Sequence, residues 1–482
     1  MTPATEVCVL GGGPAGAVAA WKLARLGHSV LVVERAAFPR PHVGEALSPG
    51  IWPQLDLLGL TDRVRAAGFR PTSTAVVRWS DSLAETVRHS GPPGLMVDRG
   101  RFDLLLLEHA RQAGARLLQP GVAAAVRRTG DGWTVAVRTS EGERRVRARF
   151  LVDASGRSSR RIGRRERTGP QTLALHGIWA RRGSRDGWGG QTRIEAGPDE
   201  WLWAAPRSDG TLSAMAFVDA ERCVAARTAG ESPEALYRRL LARSALLAEV
   251  ATAKLMGRVG VCDASCWNDP EPVGDGFLKV GEAAFALDPL SSTGVQKALQ
   301  TGWLGAIAVH TLLTPSADGK AARQFYSEKH RLTVERHTAW AAGFYAAAQR
   351  PTGSRFWRRR AAALHARAEP GTTAPPASGA GDLRLRLSAA AELVATPCVA
   401  DDLIEMRRAL VHPDLDGPVA YLDGVELAPL LEGMMPGATL DEVTAHWSRR
   451  LPQLPLQQAV ALAGWLLRHG VLVPVMAAGR SS

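Results

Sequence analysis

The first three predicted elements constrain the fold more than any other part of the chain. Residues 6–10 form an apolar run that predicts a buried strand, and a G-x-G-x-x-G turn follows directly. Residues 17–26 predict a helix, and residues 29–33 predict a second strand that ends at Glu34. A strand, a glycine-rich turn, a helix and a strand in this order form the βαβ unit that binds a dinucleotide.

The residues of the turn have separate physical roles. Gly11 permits the tight turn, Gly13 lets the backbone approach a pyrophosphate, and Gly16 lets the helix lie close to the sheet. The helix N-terminus offers free N–H groups and the positive end of its dipole to the phosphates. We therefore predict that these glycines and Ala15 contact the dinucleotide, and that Glu34 accepts hydrogen bonds from ribose hydroxyls.

Four later motifs indicate which dinucleotide is bound. In chain order they are FPR…VGEAL over residues 38–47, VDRxxFD over 97–103, FLVDASGR over 150–157, and VGEAA…DPLSSTG over 280–294. Together they resemble the flavin-site motifs of flavin-dependent halogenases and of their hydroxylase and geranylgeranyl-reductase-like relatives. The resemblance covers roughly residues 5 to 360 and implies that the cofactor is FAD.

The resemblance also implies which further residues lie at the cofactor. In that family the arginine of the second motif, here Arg99, sits close to the flavin pyrophosphate or ribityl chain. Glu282 stands where the family usually has Asp, so we assign the ribityl contact to Asp288. Besides the glycine-rich turn and Glu34, the residues expected to bind FAD are Arg35, Glu45, Arg99, Asp153, Gly281, Asp288, Ser292, Thr293 and Gly294.

The source of electrons follows from the number of dinucleotide motifs. The chain has one glycine-rich fingerprint, so a second stable nucleotide site is not predicted. We expect the flavin to be reduced by transiently bound NAD(P)H or by a partner flavin reductase, and then to react with O2.

A pair of tryptophans resembles a halogenase motif. The run from Trp201 to Pro206 is similar to the W-x-W-x-I-P of those enzymes, with Ala205 in place of Ile. In the halogenases this stretch lies beside the tunnel between flavin and substrate. The alternation of a β-strand also accounts for the spacing of Trp201 and Trp203, because it places them on one face.

Two positions depart from the halogenase pattern. The lysine that carries or activates the oxidised halide aligns with Thr74, and Ser291 stands where the tryptophan halogenases have a glutamate. A hydroxyl cannot act as a cationic amine, and no lysine lies between Pro53 and Lys254. These departures favour direct oxygen transfer to a substrate ring.

The expected enzyme is therefore an FAD-dependent monooxygenase that hydroxylates an aromatic ring through a flavin hydroperoxide. His176, Glu195 and Asp199 fall in the predicted substrate region and could supply a base, although each also suits a surface or core position. The residues assigned to catalysis are Thr74, His176, Trp201 and Trp203. A halogenase with a different relay, a small-molecule hydroxylase, a geranylgeranyl-reductase-like enzyme and a flavin-stabilised scaffold remain alternatives.

Composition excludes several other classes. Hydrophobic residues make up 45% and charged residues 22% of the 482 residues, which is typical of globular proteins. The sequence shows neither a signal peptide nor an apolar run long enough for a membrane helix.

The net charge of +12 comes mostly from arginine in an Ala-, Gly- and Pro-rich chain, which indicates a coding bias rather than nucleic-acid binding. Five cysteines without a metal-binding spacing predict no metal site and fit a reducing cytoplasm.

The predicted fold class is α/β, and the chain divides into three regions. Residues 1–365 form a Rossmann-like FAD-binding domain, which carries an inserted antiparallel substrate sheet (about 70–98 and 166–265) and a helical wrap over 302–365. Residues 366–383 form a linker rich in Pro, Gly, Ser and Thr. Residues 384–482 form a small winged-helix-like domain.

The small domain suggests a partner. Its predicted helices are 389–394, 425–431, 440–447 and 456–469, with strands near 419–424 and 470–473. This order resembles winged-helix or peptide-leader-recognition modules, which bind a peptide or protein, but a domain that completes the enzyme or forms a dimer also fits. With the missing halide lysine, it resembles the maturation flavoproteins of tryptophylquinone enzymes and ribosomal peptides, which hydroxylate a tryptophan in a peptide.

Overall fold

A computed structural model describes residues 4–80, 83–88, 90–130, 132–158, 162–180, 188, 190–348, 354–362, 384–415 and 417–475. Two compact units divide the described residues. The first contains those within Met1–Thr314 and Tyr326–Ala366, and the second those within Pro315–Phe325 and Arg367–Ser482. The predicted linker, residues 366–383, lies outside the described residues.

The first unit opens with the predicted βαβ unit: β1 (Ala4–Leu10), α1 (Pro14–Arg25) and β2 (Val30–Val33). Pro14 starts the helix at a position where its missing N–H costs nothing. All four residues of β2 are buried, as expected for a strand in a parallel sheet that is covered on both faces.

The elements up to residue 153 contribute strands to the nucleotide-binding sheet, to the inserted sheet and to a small three-stranded sheet. They are β3 (Ala46–Leu47), α2 (Ile51–Leu57), α3 (Thr61–Ala66), β4 (Arg70–Thr72), β5 (Thr74–Arg78), β6 (Glu85–Arg88), β7 (Gly94–Met96), α4 (Arg99–Gln112), β8 (Arg116–Leu118), β9 (Val122–Thr129), β10 (Gly132–Thr139) and β11 (Gly142–Asp153).

The remaining elements complete the two large sheets, form a second small three-stranded sheet and add helices, of which the last but one begins in the second unit. They are β12 (Glu166–Arg167), β13 (Thr172–Trp179), β14 (Thr192–Ala196), β15 (Glu200–Pro206), β16 (Leu212–Asp219), α5 (Ala220–Thr228), α6 (Pro233–Ala242), α7 (Ala248–Ala251), β17 (Gly260–Asp263), β18 (Trp267–Asn268), β19 (Val273–Gly274), β20 (Phe277–Lys279), β21 (Phe285–Ala286), α8 (Gly294–Leu313), α9 (Gly319–Ala347) and α10 (Arg355–Ala361).

The nucleotide-binding sheet has the strand order β19-β20-β11-β1-β2-β8, and β10 and β9 extend it beside β11. Strands β11 and β2 run parallel to β1 on its two sides. Leu10 and Asp153 are register partners, so β1 and β11 end at the same edge of the sheet. Ligands of such sheets bind outside the carboxyl ends of the strands, and this edge is therefore where the cofactor site is expected.

The inserted sheet has the order β17-β13-β16-β15-β14-β5-β6 and is antiparallel apart from the β14–β5 pair. Alternate residues of β15 face opposite sides. Leu202 packs in the core formed with α5 and α6, whereas Trp201 and Trp203 pack on the other side with residues of α9 and α10. The predicted α/β class, with a Rossmann-like domain and an inserted antiparallel sheet, is thereby confirmed.

Helix α8 crosses α1 at very short range. A side-chain carbon at Gly302 would overlap the carbonyl oxygen of Ala15, and one at Gly305 would lie 2.7 Å from a methyl of Val280. The crossing brings the N-terminal ends of both helices to the same edge of the sheet. No helix among the described residues is both long enough and apolar enough to cross a bilayer.

The second unit combines three helices with short strands. Its elements are β22 (Arg384–Leu387), β23 (Glu392–Ala400), β24 (Leu403–Val411), β25 (Tyr421–Leu422), β26 (Val425–Glu426), α11 (Ala428–Glu432), β27 (Ala438–Thr439), α12 (Leu440–Arg450), α13 (Leu456–Arg468) and β28 (Leu472–Pro474). Strands β27, β22 and β28 form one sheet, and Trp447 lies fully buried in the core of the unit.

Two secondary-structure predictions for the second unit were wrong. Residues 389–394 are not helical, because Val394 and its neighbours pair with β24 in a long hairpin. The alanines favour a helix locally, but cross-strand pairing outweighs that preference. The helix expected over 425–431 is shorter and begins at Ala428, after the strand β26. Helices α12 and α13 are present where the sequence predicts them.

The crossing of α1 and α8 predicts opposite effects for two glycine substitutions in one helix. Gly302→Ala forces the helices apart and should lower the free energy of unfolding of the apoprotein by about 1–3 kcal/mol. Gly294→Ala meets no atom of the described residues within 4 Å and should leave that free energy unchanged or raise it slightly. Urea unfolding of both apoproteins measures the difference, and equal stabilities would contradict the close packing.

Candidate active site

The glycine-rich turn leaves an opening in front of α1. A side chain at Gly11, whose φ is +104°, would overlap Ala154, and one at Gly16 would overlap the carbonyl of Gly11. Gly13 is different, because within 4 Å of a side-chain carbon there the described residues place one atom, Nη2 of Arg40 at 3.6 Å. The turn is thus packed tightly on the protein side and open at Gly13, which fits a pyrophosphate bound at the N-terminus of α1.

Glu34 lies buried at the end of β2. Its Oε2 accepts a hydrogen bond of 2.7 Å from the backbone N–H of Gly12, and its Oε1 accepts one of 2.8 Å from that of Ala36. The carboxylate is therefore held beside the turn and retains lone pairs for ribose hydroxyls. Arg35, which the sequence also assigned to the cofactor, is exposed.

A buried ion pair holds the loop that follows β2. Arg99 donates two parallel hydrogen bonds to Asp103, of 2.9 and 3.1 Å, and a third of 3.0 Å to the carbonyl of Val43. Nη2 of Arg40 lies 3.4 Å from the same Asp103. Arg99 thus positions the loop, and Arg40 is the guanidinium that lies at the opening beside Gly13. Arg40 belongs to the FPR motif, but no pattern in the sequence distinguishes it as a cofactor residue.

Glu45 is tied to the inserted sheet. It is buried, accepts a hydrogen bond of 3.2 Å from Arg207, and accepts a second one of 3.1 Å from the backbone N–H of Gly44. This carboxylate therefore links the loop after β2 to the end of β15.

Three motifs that lie far apart in sequence meet next to the turn. Asp153 is buried at the end of β11 and accepts hydrogen bonds from the backbone N–H and the hydroxyl of Ser155, at 3.0 and 2.6 Å. Gly281 has a φ of +58°, and a side-chain carbon there would come within 2.7 Å of the methyl group of Ala15. Glu282 pairs with Arg157 at 2.9 Å.

Asp288 binds to α9. Its carboxylate accepts hydrogen bonds from the Tyr345 hydroxyl, at 3.0 and 3.2 Å, and one of 3.0 Å from the backbone N–H of Leu290. Burial raises the pKa of Asp288 above its usual value. Its contacts connect the loop before α8 to α9.

The segment from Ser291 to Gly294 leads into the N-terminus of α8. Ser292 has a left-handed conformation, with a φ of 51°, and Thr293 precedes the first helical residue, Gly294. The Ser291 hydroxyl lies 2.7 Å from that of Thr293 and 3.4 Å from Nε2 of His337 on α9. His337 was not among the residues selected from the sequence. The one sequence feature that could have indicated it is its helical spacing from Trp340 and Phe344, which places the three residues on one helix face.

The inner side of the inserted sheet forms an aromatic face, which we define as Trp79, Trp201, Trp203, Phe217, Tyr345, Phe356 and Trp357. Trp201 stacks on Phe217 with ring centroids 3.8 Å apart and 9° between the ring planes. Trp79 packs edge-on against Trp201 and Trp357.

His176 shares this side of the sheet. It is the register partner of Met215, which is itself opposite Trp203. Burial lowers the pKa of His176 below its usual value, and the ring covers Gly260. The structure therefore brings three of the four residues assigned to catalysis, His176, Trp201 and Trp203, to one surface.

Thr74 lies apart from them. Strand alternation puts Thr74 on the side of Arg78, whose guanidinium pairs with Glu195 at 3.1 Å, and puts Trp79 on the opposite side. Glu195 also accepts hydrogen bonds from two backbone N–H groups, those of Ala245 at 3.0 Å and Leu246 at 2.9 Å. Its hydrogen bonds make Glu195 a structural residue rather than a base.

The fold and the site define a flavoprotein of the oxidoreductase class. The chain belongs to the FAD binding domain family, which matches residues 4–246, about half of its length. Its relatives include flavin-dependent halogenases and a peptidyl tryptophan dihydroxylase, so the chain is a flavin-dependent oxidoreductase of the halogenase and hydroxylase type.

Two sequence relatives illustrate the similarity. A tryptophan 2-halogenase of Chondromyces crocatus is 29% identical over 354 residues, which cover 71% of this chain and 68% of the relative. A 1H-pyrrole-2-carbonyl-[peptidyl-carrier protein] chlorinase of Pseudomonas fluorescens is 29% identical over 336 residues, which cover 61% of this chain and 73% of the relative.

Solved structures extend the similarity to the whole chain. The peptidyl tryptophan dihydroxylase QhpG, essential for tryptophylquinone cofactor biogenesis, is 28% identical with a TM-score of 0.71 and covers 97% of this chain and 99% of its own. The myxobacterial chondrochloren halogenase CndH is 29% identical with a TM-score of 0.69, over 74% and 86%. The halogenase CmlS shares the fold, with 24% identity and a TM-score of 0.76 over 100% and 98%.

The opening at Gly13 predicts a loss of FAD binding without a loss of folding. The added methyl group of Gly13→Ala enters the space for the pyrophosphate, so the dissociation constant for FAD should rise about 10- to 100-fold. Titration of the apoprotein with FAD measures it. Gly16→Ala is the contrast, because its overlap with Gly11 should destabilise the apoprotein itself. Unchanged FAD affinity in Gly13→Ala would place the pyrophosphate elsewhere.

Proposed function

We propose that this chain is an FAD-dependent monooxygenase that hydroxylates an aromatic ring, specifically a tryptophan indole carried on a peptide or protein. The observation that carries the proposal is the chemistry at the halide-relay positions. Thr74 replaces the lysine, its strand alternation directs it away from the aromatic face, and Ser291 replaces the glutamate. A hydroxyl cannot take the place of the amine that the halogenases use.

The separate roles that the cofactor and the protein have in aromatic hydroxylation support this proposal. FAD, reduced by NAD(P)H directly or by a partner flavin reductase, supplies the electrons with which O2 is activated. The protein positions the substrate ring and keeps water out of the site. The buried rings of the aromatic face exclude water beside the loop that precedes α8.

A peptide substrate needs a docking surface, and the second unit offers one of suitable chemistry. The short strands β27 and β28 are the two edge strands of its three-stranded sheet. Strands β23 and β24 form a separate two-stranded ribbon. Strand edges of this kind bind extended peptides through main-chain hydrogen bonds. The side chains of Leu456 and Val460, one helical turn apart on α13, are 55% and 43% exposed and could contact apolar residues of the peptide. The similarity to QhpG covers this unit as well.

A halogenase with a different relay is the second candidate. The sequence relatives favour it, and so does Lys297 in the first turn of α8. Burial and the nearby Arg336 lower the pKa of Lys297, which increases the share of neutral amine available to react with an oxidised halide. A small-molecule hydroxylase is a third candidate and differs only in the size of the substrate.

Mass analysis of products separates these candidates. The FAD-loaded protein, with NAD(P)H and a flavin reductase, is incubated with tryptophan-containing peptides under isotope-labelled dioxygen, with and without chloride or bromide. We expect labelled oxygen in the peptide in both conditions. Halogenated peptide would overturn hydroxylation, and modification of free tryptophan or phenols alone would overturn the peptide substrate.

Lys297→Gln is the matched control for the relay. It should leave hydroxylation within about twofold of the wild type, because hydroxylation requires no amine at this position. Loss of a halogenated product in this variant would instead assign Lys297 to a halide relay.

A further inference from the structure

His337 lies where α9 meets the loop that precedes α8. Its Nε2 is 3.4 Å from the Ser291 hydroxyl and 3.4 Å from the carbonyl oxygen of Asp288. Ser291 occupies the position at which the tryptophan halogenases carry a glutamate. His337, which belongs to α9, therefore brings a titratable group next to Ser291, where the tryptophan halogenases have the glutamate.

The hydrogen-bond pattern determines the tautomer of this ring. A carbonyl oxygen only accepts hydrogen bonds, so Nε2 carries the hydrogen and donates it toward Asp288. Nδ1 then holds the lone pair, and no hydrogen-bond partner of Nδ1 is recorded among the described residues. Burial lowers the pKa of His337 to about 4, and the nearby Lys297 lowers it as well, so the imidazole is neutral at pH 7.

The groups around His337 favour an aromatic substrate. On its own helix, Trp340 packs 5.5 Å from the imidazole and Phe344 packs 4.5 Å from Trp340. These two rings are 41% and 45% exposed, whereas the rings of the aromatic face are mostly buried. The carboxylate of Asp288 is engaged by Tyr345, the charge that acts on His337 is the cation Lys297, and Arg336 acts in turn on Lys297.

We propose that His337 is the proton acceptor of the aromatic hydroxylation and that the exposed rings of Trp340 and Phe344 hold the substrate ring beside it. This inference rests on the proposed function. It assigns the base to α9, not to His176, which lies on the inserted sheet and covers Gly260.

The proton and electron balance of the step is complete. A carbon–oxygen bond forms at the ring carbon with one atom of O2, and the carbon–hydrogen bond then breaks. Its electron pair restores aromaticity, and the proton goes to Nδ1 of His337 and from there to water. The second oxygen atom leaves as water, with the two electrons supplied by NAD(P)H. The neutral imidazole can accept this proton despite its low pKa, because loss of the proton restores the aromatic ring.

The test compares His337→Gln and His337→Ala with His176→Gln in the full-length, FAD-loaded protein. The rate of peptide hydroxylation should fall about 100-fold or more in both His337 variants and much less in His176→Gln. Affinity for FAD and the rate of flavin reduction should stay unchanged, so NAD(P)H is consumed and hydrogen peroxide is released without product. Added imidazole should restore hydroxylation in His337→Ala only.

Each other outcome overturns the inference in a distinguishable way. Full activity of His337→Gln, or loss of activity in His176→Gln instead, removes His337 as the base while the proposed function stands. Loss of activity together with weaker FAD binding and no rescue by imidazole shows a structural role. Absence of any hydroxylated product with the wild-type protein overturns the proposed function and this inference together.

Discussion

The close crossing of α1 and α8 is the contact on which the rest of the site depends. Gly302 lets α8 touch the backbone of Ala15, and Gly281 lets the preceding loop touch the methyl group of the same residue. Both helices therefore point their N-termini toward one edge of the nucleotide-binding sheet. Two positive dipole ends at this edge suit a cofactor with an anionic pyrophosphate and a redox-active ring.

Buried ion pairs attach the surrounding loops to this framework. Arg99 and Asp103 form a bidentate pair in which Asp103 is fully buried, and the same arginine holds the carbonyl of Val43. Removing one partner of such a pair typically costs about 3–5 kcal/mol, because the other charge stays buried. Arg207 and Glu45 connect the same loop to the inserted sheet. Arg99 and Glu45, which the motifs assigned to the cofactor, thus also hold together the protein that surrounds it.

The sequence predicted the parts of the site that depend on backbone geometry. A turn with no room for side chains at Gly11 and Gly16 requires glycine, so its pattern is readable without a structure. The alternation of Trp201 and Trp203 likewise predicted a shared face. His337 and Arg40 could not be found in this way, because each reaches its place through a helix or loop whose position depends on contacts distant in sequence. The hairpin of β23 and β24 was missed for the same reason.

By itself the sequence determined the βαβ unit, the FAD-binding family and the absence of a lysine at the halide position. These properties depend on residue type and on spacing along the chain. Only the tertiary structure decided that Thr74 lies on the opposite side of the sheet from the aromatic face, that Asp288 bonds to Tyr345, and that His337 reaches Ser291. Such contacts depend on how helices and sheets pack, and packing joins residues that no local pattern relates.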